Sequence, residues 1–224
     1  MTEPTLLERL ARISARIAAT GRNPDEVAIV AVTKGFGVEA CREAMAAGLR
    51  LLGENRIQEA LPKMEAVPAA QWHLIGHLQT NKLKQAGGRF ALIQSVDSQR
   101  LAEAIASHDP KQAVLVEVNI AREPQKSGVA PEQALELISM VAGLLDLQGL
   151  MGMGPSQGDP KPAFDELRLL HDEAEQRVGH GLPILSMGMS GDFEAALAAG
   201  STMLRLGQAL FGPRATPGAR RAPF

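Results

Sequence analysis

Lys34 is the residue whose position in the sequence most clearly suggests chemistry. It follows an uninterrupted apolar run at 27–32 and Thr33, and such a run is typical of a strand that is buried on both faces. Desolvation disfavours the ammonium form of a lysine, and the neutral amine is a nucleophile that condenses with aldehydes. The alternative is a lysine whose stem packs on the protein while its ammonium group reaches solvent.

Two segments near the end of the chain contain groups that could bind an anion. In SMGMSGD (186–192), Ser190 stands before a predicted helix, where its hydroxyl and the following amides could hold a phosphate. In RLGQALFG (205–212), Gly207 allows the backbone to approach a ligand closely. Taken singly, each residue has a simpler explanation, since Ser190 could be an ordinary helix cap and Gly207 an ordinary turn residue.

The elements that must position these residues are eight short apolar runs that alternate with helical patterns. The predicted strands are 27–33, 49–53, 71–75, 92–96, 113–118, 147–153, 183–186 and 202–206. The predicted helices between them are 38–47, 57–66, 81–86, 98–107, 131–145, 162–178 and 192–199, and an extra amphipathic helix at 5–20 precedes them. Eight such units predict an α/β fold that is a single (β/α)8 TIM barrel, with a doubly wound open sheet as the alternative.

The barrel prediction brings the amine and the anion-binding segments together. The first and last strands of a barrel are neighbours, and the loops after strands seven and eight of such barrels often bind phosphate. Lys34 would therefore lie near a phosphate site, an arrangement that suits a phosphorylated aldehyde. We expect one barrel domain over 1–212 and a flexible C-terminal tail over 213–224.

The composition excludes several classes of function. Hydrophobic residues make up 45% and charged residues 21% of the 224 residues, as in soluble globular proteins. A net charge of −2 argues against nucleic acid as a partner, and no apolar run is long enough to predict a membrane span. The single cysteine, Cys41, and the absence of a signal-peptide pattern at the N-terminus predict a cytoplasmic protein. Five scattered histidines predict no zinc site.

Six segments of the chain resemble the pyridoxal 5′-phosphate (PLP) homeostasis protein family, whose fold is that of the alanine racemase N-terminal barrel. They are AVTKG (31–35), GENRIQEAL (53–61), WHLIGHLQTNKLK (72–84), VNIAREPQKSGV (118–129), GLMGMGP (149–155) and LSMGMSGDFEAALAAGSTMLRLGQALFG (185–212). The third and the last are long and specific, and the resemblance extends over nearly the whole chain.

The resemblance implies a cofactor and a set of residues that bind it. Lys34 would carry PLP as an internal aldimine, Ser190 with the backbone around Gly207 and Gln208 would bind the phosphate, and Arg205 would face the pyridine nitrogen. The full set of cofactor-binding residues that the resemblance implies is Lys34, Asn55, His73, Met187, Ser190, Arg205, Gly207 and Gln208.

This chain departs from the family pattern at several positions. Thr33 stands where the family usually has serine, His77 where it often has proline, and Gln208 where it often has threonine. The last change removes a side-chain hydroxyl from the phosphate site, whereas the backbone amide of residue 208 remains. None of the changes affects Lys34.

The resemblance and the residues together predict a binding protein with little or no catalytic turnover. An arginine stays charged in proteins, so Arg205 would leave the ring nitrogen unprotonated and weaken the cofactor as an electron sink. Racemases of the related barrel use a lysine and a tyrosine from an added β-domain, whereas this chain has no tyrosine, and we expect no such domain after residue 212. His73 and His77 are the remaining candidate proton carriers, while Cys41 is expected to be a small buried residue on an outer helix.

We therefore expect a carrier or buffer that holds PLP on Lys34 and releases it to apo-PLP enzymes by transimination. Those enzymes would be transient partners, and the protein would act as a monomer or weak dimer. Two alternatives remain at this stage. One is a PLP-dependent amino-acid racemase or lyase, and the other is a barrel that binds a phosphorylated ligand without a covalent bond.

Overall fold

Eight parallel strands close into a barrel in the computed structural model, which describes residues 3–86 and 88–213. The strands are β1 (Ala28–Val32), β2 (Leu51–Glu54), β3 (Gln71–Leu74), β4 (Leu92–Val96), β5 (Ala113–Val118), β6 (Asp146–Gly152), β7 (Ile184–Ser186) and β8 (Met203–Leu206). Each strand pairs with the next one, and β8 pairs with β1. The predicted TIM barrel is thus confirmed, and the open doubly wound sheet is excluded.

Helices surround the barrel at the predicted positions. They are α1 (Leu6–Ala19), α2 (Val38–Ala46), α3 (Ile57–Ala66), α4 (Leu83–Ala86), α5 (Gln99–His108), α6 (Pro131–Ala142), α7 (Lys161–Val178), α8 (Phe193–Ala198) and α9 (Gln208–Phe211). The extra helix α1 begins with a capping box in which Thr5 and Glu8 bond each other's backbone amides. Among the described residues, no helix is both long and apolar enough to cross a membrane.

Side chains of the strands alternate between two hydrophobic layers, as the pleat of a strand requires. The barrel interior is filled by Val30, Leu92, Leu115, Met151 and Met203. A larger layer lies between the outside of the barrel and the helices. The interior is therefore packed rather than open, and a cavity for a ligand is expected at the carboxyl ends of the strands. Of the predicted tail, residues 214–224 lie outside the described part of the chain.

Candidate functional site

A cavity of about 500 Å³ opens at the carboxyl ends of the barrel strands. Six of the eight residues predicted from the sequence line it, namely Lys34, Asn55, Ser190, Arg205, Gly207 and Gln208. Because β1 and β8 are paired, the loops that carry Lys34 and Gly207 lie side by side. The structure thus brings the predicted amine and the predicted anion-binding segments to one cavity.

The structure does not bring His73 and Met187 to the lining of this cavity. His73 lies on β3 and is buried, with its Nδ1 atom 3.0 Å from Gln94 Nε2. Met187 is fully buried in the layer between the barrel and the helices. Both residues lie in motifs that reach the cavity, but their side chains point away from it.

The turn between β7 and α8 has a conformation that requires glycine. Gly188 has a φ of 93°, and a Cβ atom at this position would lie 2.7 Å from Ala196 Cβ. The carboxylate of Asp192 closes the turn, because its Oδ1 atom accepts a hydrogen bond of 2.6 Å from the amide of Met189. The exposed end of this turn carries Ser190 into the cavity wall.

Ser190 does not cap the helix that follows it, contrary to the sequence prediction. The N-cap of α8 is Asp192, two residues further on, because the turn takes up the additional residues. Ser190 Oγ instead accepts a hydrogen bond of 3.0 Å from the amide of Ala209. The hydroxyl therefore lies against the segment after β8, next to Gly207 and Gln208.

Gly207 lies close to the first strand. A Cβ atom at position 207 would lie 3.3 Å from the carbonyl oxygen of Val32, which is tighter than most such contacts. A side chain there would push the turn after β8 away from the end of β1. Glycine at this position thus keeps the backbone amides of the turn near the loop that carries Lys34.

Arg205 supplies a buried cation in the cavity wall. It is only 5% exposed, and its guanidinium group donates to Ser186 O and Ser186 Oγ, both at 2.8 Å, and to Gly152 O at 2.8 Å. Burial lowers the pKa of Arg205 to about 10, while Glu117 and Asp192 oppose this shift. Arg205 therefore stays protonated near neutral pH and can only donate hydrogen bonds.

A chain of hydrogen bonds connects Arg205 to His73 through the barrel interior. Arg205 donates to Ser186 Oγ, so the Ser186 hydroxyl uses its own proton to donate to Gln94 Oε1 at 2.7 Å. The amide group of Gln94 then presents its Nε2 atom to His73 Nδ1, and Nε2 donates to it. This pattern assigns the imidazole proton to Nε2. Burial lowers the pKa of His73 to about 4, so this histidine is neutral near pH 7 and is poorly suited to carry a proton.

Glu117 is a buried acid in the cavity wall. It was not among the site residues predicted from the sequence. It lies on β5 and is 3% exposed. Burial raises the pKa of Glu117 to about 7, with the charge of Arg205 lowering it and that of Asp97 raising it further. The carboxyl group is therefore protonated in a substantial fraction of molecules at neutral pH.

Replacing Glu117 with glutamine should flatten the dependence of stability on pH. Since burial raises the pKa of Glu117 from 4.5 to about 7, ionisation destabilises the fold, and the stability present below pH 4.5 is lost as pH rises to 7. We expect the wild-type free energy of unfolding to fall by about 2.5 kcal/mol more than that of Glu117→Gln between pH 5 and pH 8. Urea titrations at both pH values measure this difference.

The control for this measurement is Glu136→Gln, which changes an exposed glutamate on α6. It should leave the wild-type dependence on pH unchanged. An identical dependence on pH in the wild type and in Glu117→Gln would contradict the prediction.

The loop between β5 and α6 adds a second lysine to the cavity wall. Lys126 lines the cavity together with Gln125 and Ser127. Its Nζ atom donates to Gly154 O at 2.6 Å and lies 3.2 Å from a carboxylate oxygen of Glu123. Lys126 lies within the motif VNIAREPQKSGV but was not among the residues predicted to form the site.

Asn55 contributes an acceptor that the protein does not satisfy. Its Oδ1 atom is buried and has no hydrogen-bond partner among the described residues. Buried polar atoms are normally paired, so this atom suits a ligand that carries a donor such as a hydroxyl group. With the amine of Lys34, the cation of Arg205 and the hydroxyl of Ser190, the cavity suits a small phosphorylated aldehyde.

Comparisons with known proteins agree with this chemistry. The family model described as alanine racemase, N-terminal domain, matches residues 7–215. A pyridoxal phosphate homeostasis protein of Aquifex aeolicus is 40% identical, with 92% of this chain and 97% of the relative covered. One of Pseudomonas aeruginosa is 41% identical over 94% of this chain and 96% of its own. The structure of Synechococcus elongatus PipY with PLP bound superposes with a TM-score of 0.80 at 33% identity and covers 93% of this chain and 100% of that one.

Proposed function

This chain belongs to the pyridoxal phosphate homeostasis protein family, and from that premise we propose that it binds PLP at the barrel mouth and acts in PLP homeostasis. The observation that carries the proposal is the meeting of Lys34, Ser190 and Arg205 in one cavity of about 500 Å³. A volume of this size is typical of sites for small ligands. The relatives that share 40% and 41% identity carry the same role in their names.

The residues present fit the chemical groups of PLP. The unsatisfied Asn55 Oδ1 atom matches the hydroxyl group on the ring. The guanidinium group of Arg205 has five N–H donors and uses only part of them in its bonds to Ser186 and Gly152, which suits a ring nitrogen that accepts. Ser190 and the turn at Gly207 offer a hydroxyl and backbone amides to the phosphate.

We propose that Lys34 holds the cofactor covalently. Its Nζ atom would bond the aldehyde carbon of PLP, and the aldehyde oxygen would leave as water, so that a carbon–nitrogen double bond would join protein and cofactor. A second amine could attack the same carbon and displace the Lys34 amine from the cofactor. This reversible exchange would let the protein release PLP to apo-enzymes, which are the partners we propose.

Storage rather than turnover is the proposed activity. When bound, PLP supplies an electron-accepting ring to a substrate. Arg205, which remains protonated at neutral pH, would donate a hydrogen bond to the ring nitrogen and leave it without a proton of its own, so the ring would accept electrons less strongly. The chain has no tyrosine that could serve as a second base, and the low pKa of His73 keeps its ring neutral. The proposal includes the cytoplasm as the site of action, since a single cysteine suits a reducing compartment.

Two assays on the PLP-loaded protein test storage against turnover. We expect exchange of the α-hydrogen of alanine with deuterated solvent to proceed at about the rate seen with free PLP, because Arg205 would leave the ring nitrogen unprotonated and the cofactor a weak electron sink. We also expect loss of the visible PLP absorption when an apo-PLP enzyme is added, together with a gain of activity by that enzyme. Exchange at enzymatic rates would favour the racemase alternative and contradict the storage proposal.

A further inference from the structure

A buried ion-pair cluster lies behind the segment that carries Lys34. This Lys63 cluster consists of Lys63 on α3, Glu54 at the end of β2 and Glu59 on α3. Lys63 Nζ lies 2.6 Å from Glu54 Oε1 and 3.0 Å from Glu59 Oε1. Lys63 and Glu54 are buried, a rare location for charged residues. The cluster is not part of the cavity lining.

The ammonium group of Lys63 uses its three donors within this region. Burial acts to lower the pKa of Lys63, but the hydrogen bonds and charges of Glu54 and Glu59 outweigh it and raise the pKa overall. Lys63 is therefore protonated. Its third hydrogen bond, of 2.9 Å, goes to the carbonyl oxygen of Thr33. The hydroxyl of Thr33 also donates to Glu54 Oε1 at 2.6 Å.

The cluster forms hydrogen bonds to the backbone on both sides of Lys34. The carbonyl of Thr33 belongs to the peptide unit before Lys34, and Lys63 holds it. The amide of Gly35 belongs to the peptide unit after Lys34, and it donates to Glu59 Oε1 at 2.6 Å. Peptide units are planar, so holding both of them fixes φ and ψ of residue 34. The direction in which the Lys34 side chain leaves the backbone is fixed with them.

We propose that the Lys63 cluster positions the Lys34 amine for its bond to the aldehyde of PLP. This inference rests on the proposed function. Lys63 and Glu59 do not contact the cofactor in this scheme, so they are positioning residues that act through the backbone of Lys34. A more mobile Lys34 would lose conformational entropy when the bond forms, and the bond would be weaker in consequence.

Stability alone does not account for such a cluster. Well-packed apolar residues often stabilise a fold as much as a buried ion pair does, because the pair must be desolvated. Apolar residues cannot, however, bond a carbonyl on one side of Lys34 and an amide on the other. The directional hydrogen bonds of the cluster are what an apolar replacement would lose.

The first test removes the hydrogen bond between the Gly35 amide and the Glu59 carboxylate. The side chain of Glu59 is 31% exposed, so Glu59→Ala should fold, whereas Glu59→Gln keeps an acceptor oxygen for the amide. We expect Glu59→Ala to raise the Kd for PLP about tenfold, and Glu59→Gln to stay within about twofold of the wild type. Glu65→Ala, which removes an exposed carboxylate from the same helix, is the matched control and should bind as the wild type does.

A second ligand separates positioning of the amine from general damage to the site. Pyridoxine 5′-phosphate has an alcohol in place of the aldehyde and cannot bond Lys34, so its Kd should be the same in all four proteins. Equal weakening of both ligands in Glu59→Ala would overturn the proposal, because it would show a loss of the whole site. Unchanged binding of PLP in Glu59→Ala would overturn it too.

A charge-balanced double variant tests the hydrogen bond on the other side of Lys34, from Lys63 to the carbonyl oxygen of Thr33. Lys63→Met with Glu54→Gln removes one charge of each sign, so no buried charge is left uncompensated. We expect the same selective loss of PLP affinity and a rise in the pH at which half of the bound PLP is present as the borohydride-reducible adduct. If the double variant binds PLP as the wild type does, the proposal fails while the proposed function stands. If the wild-type protein binds neither ligand, both fail.

Discussion

We expect Lys34→Ala to abolish the proposed covalent attachment of PLP and to raise its Kd by about 100-fold, equivalent to about 3 kcal/mol. The proposed phosphate site at Ser190 and the cation of Arg205 remain in this variant, so weak noncovalent binding should persist. A large effect is expected because Lys34 provides an amine at the end of β1, beside the turn that we propose to bind the phosphate. Borohydride reduction followed by peptide mass spectrometry measures the adduct, and the visible absorption spectrum measures the binding.

Two variants control for charge and for the second lysine in the cavity. Lys34→Arg keeps a positive charge but cannot form the bond, so it should lose the adduct as Lys34→Ala does. Lys126→Ala removes the other lysine of the cavity wall and should keep the adduct. An adduct that maps to Lys126, or tight binding of PLP without any adduct, would contradict the assignment to Lys34.

The barrel could be predicted from the sequence because its strands are buried on both faces. An apolar run such as 28–32 contrasts with the amphipathic helices on either side, and every predicted strand overlaps an observed one. Boundaries were less accurate where a turn takes up extra residues. The predicted cap at Ser190 was wrong for this reason, since the turn closed by Asp192 delays the start of α8.

The positions of the candidate site residues could be predicted where they depend on which loop carries a residue, and less well where they depend on side-chain direction. Lys34 and Gly207 follow β1 and β8, and adjacent strands bring them together. His73 lies within β3, and the pleat of the strand directs it into the barrel interior, where Gln94 binds it. Sequence spacing alone could not show this, because the two faces of a buried strand look alike.

The Lys63 cluster was missed although the sequence contains a signal for it. Ile57, Ala60 and Lys63 are spaced three residues apart and form the buried face of α3. A lysine on the buried face of a helix requires a partner, and Glu59 lies four residues before it. What the sequence does not contain is the contact between Lys63 and the carbonyl of Thr33, which depends on how α3 packs beside β1.

Replacing Arg205 with methionine should destabilise the apo-protein by about 3 to 5 kcal/mol. The side chain keeps much of its volume, but the buried carbonyl oxygens of Ser186 and Gly152 lose their donor, and each unpaired group costs about 1 to 3 kcal/mol. For a chain of this size the melting temperature should fall by about 10 °C or more. Urea denaturation of the apo-protein measures the loss without any contribution from the cofactor.

Arg42→Met is the control for this loss, because Arg42 forms an exposed ion pair with Glu39 and the substitution should change stability by less than about 1 kcal/mol.

Comparing the loss of stability at two pH values gives a sharper test, since Arg205 is the charge that lowers the pKa of Glu117. At pH 5, Glu117 is protonated and needs no compensating cation, so Arg205→Met should cost less there than at pH 8. A loss of stability that is equal at the two pH values would contradict this prediction. It would show that the buried cation Arg205 and the buried acid Glu117 act independently.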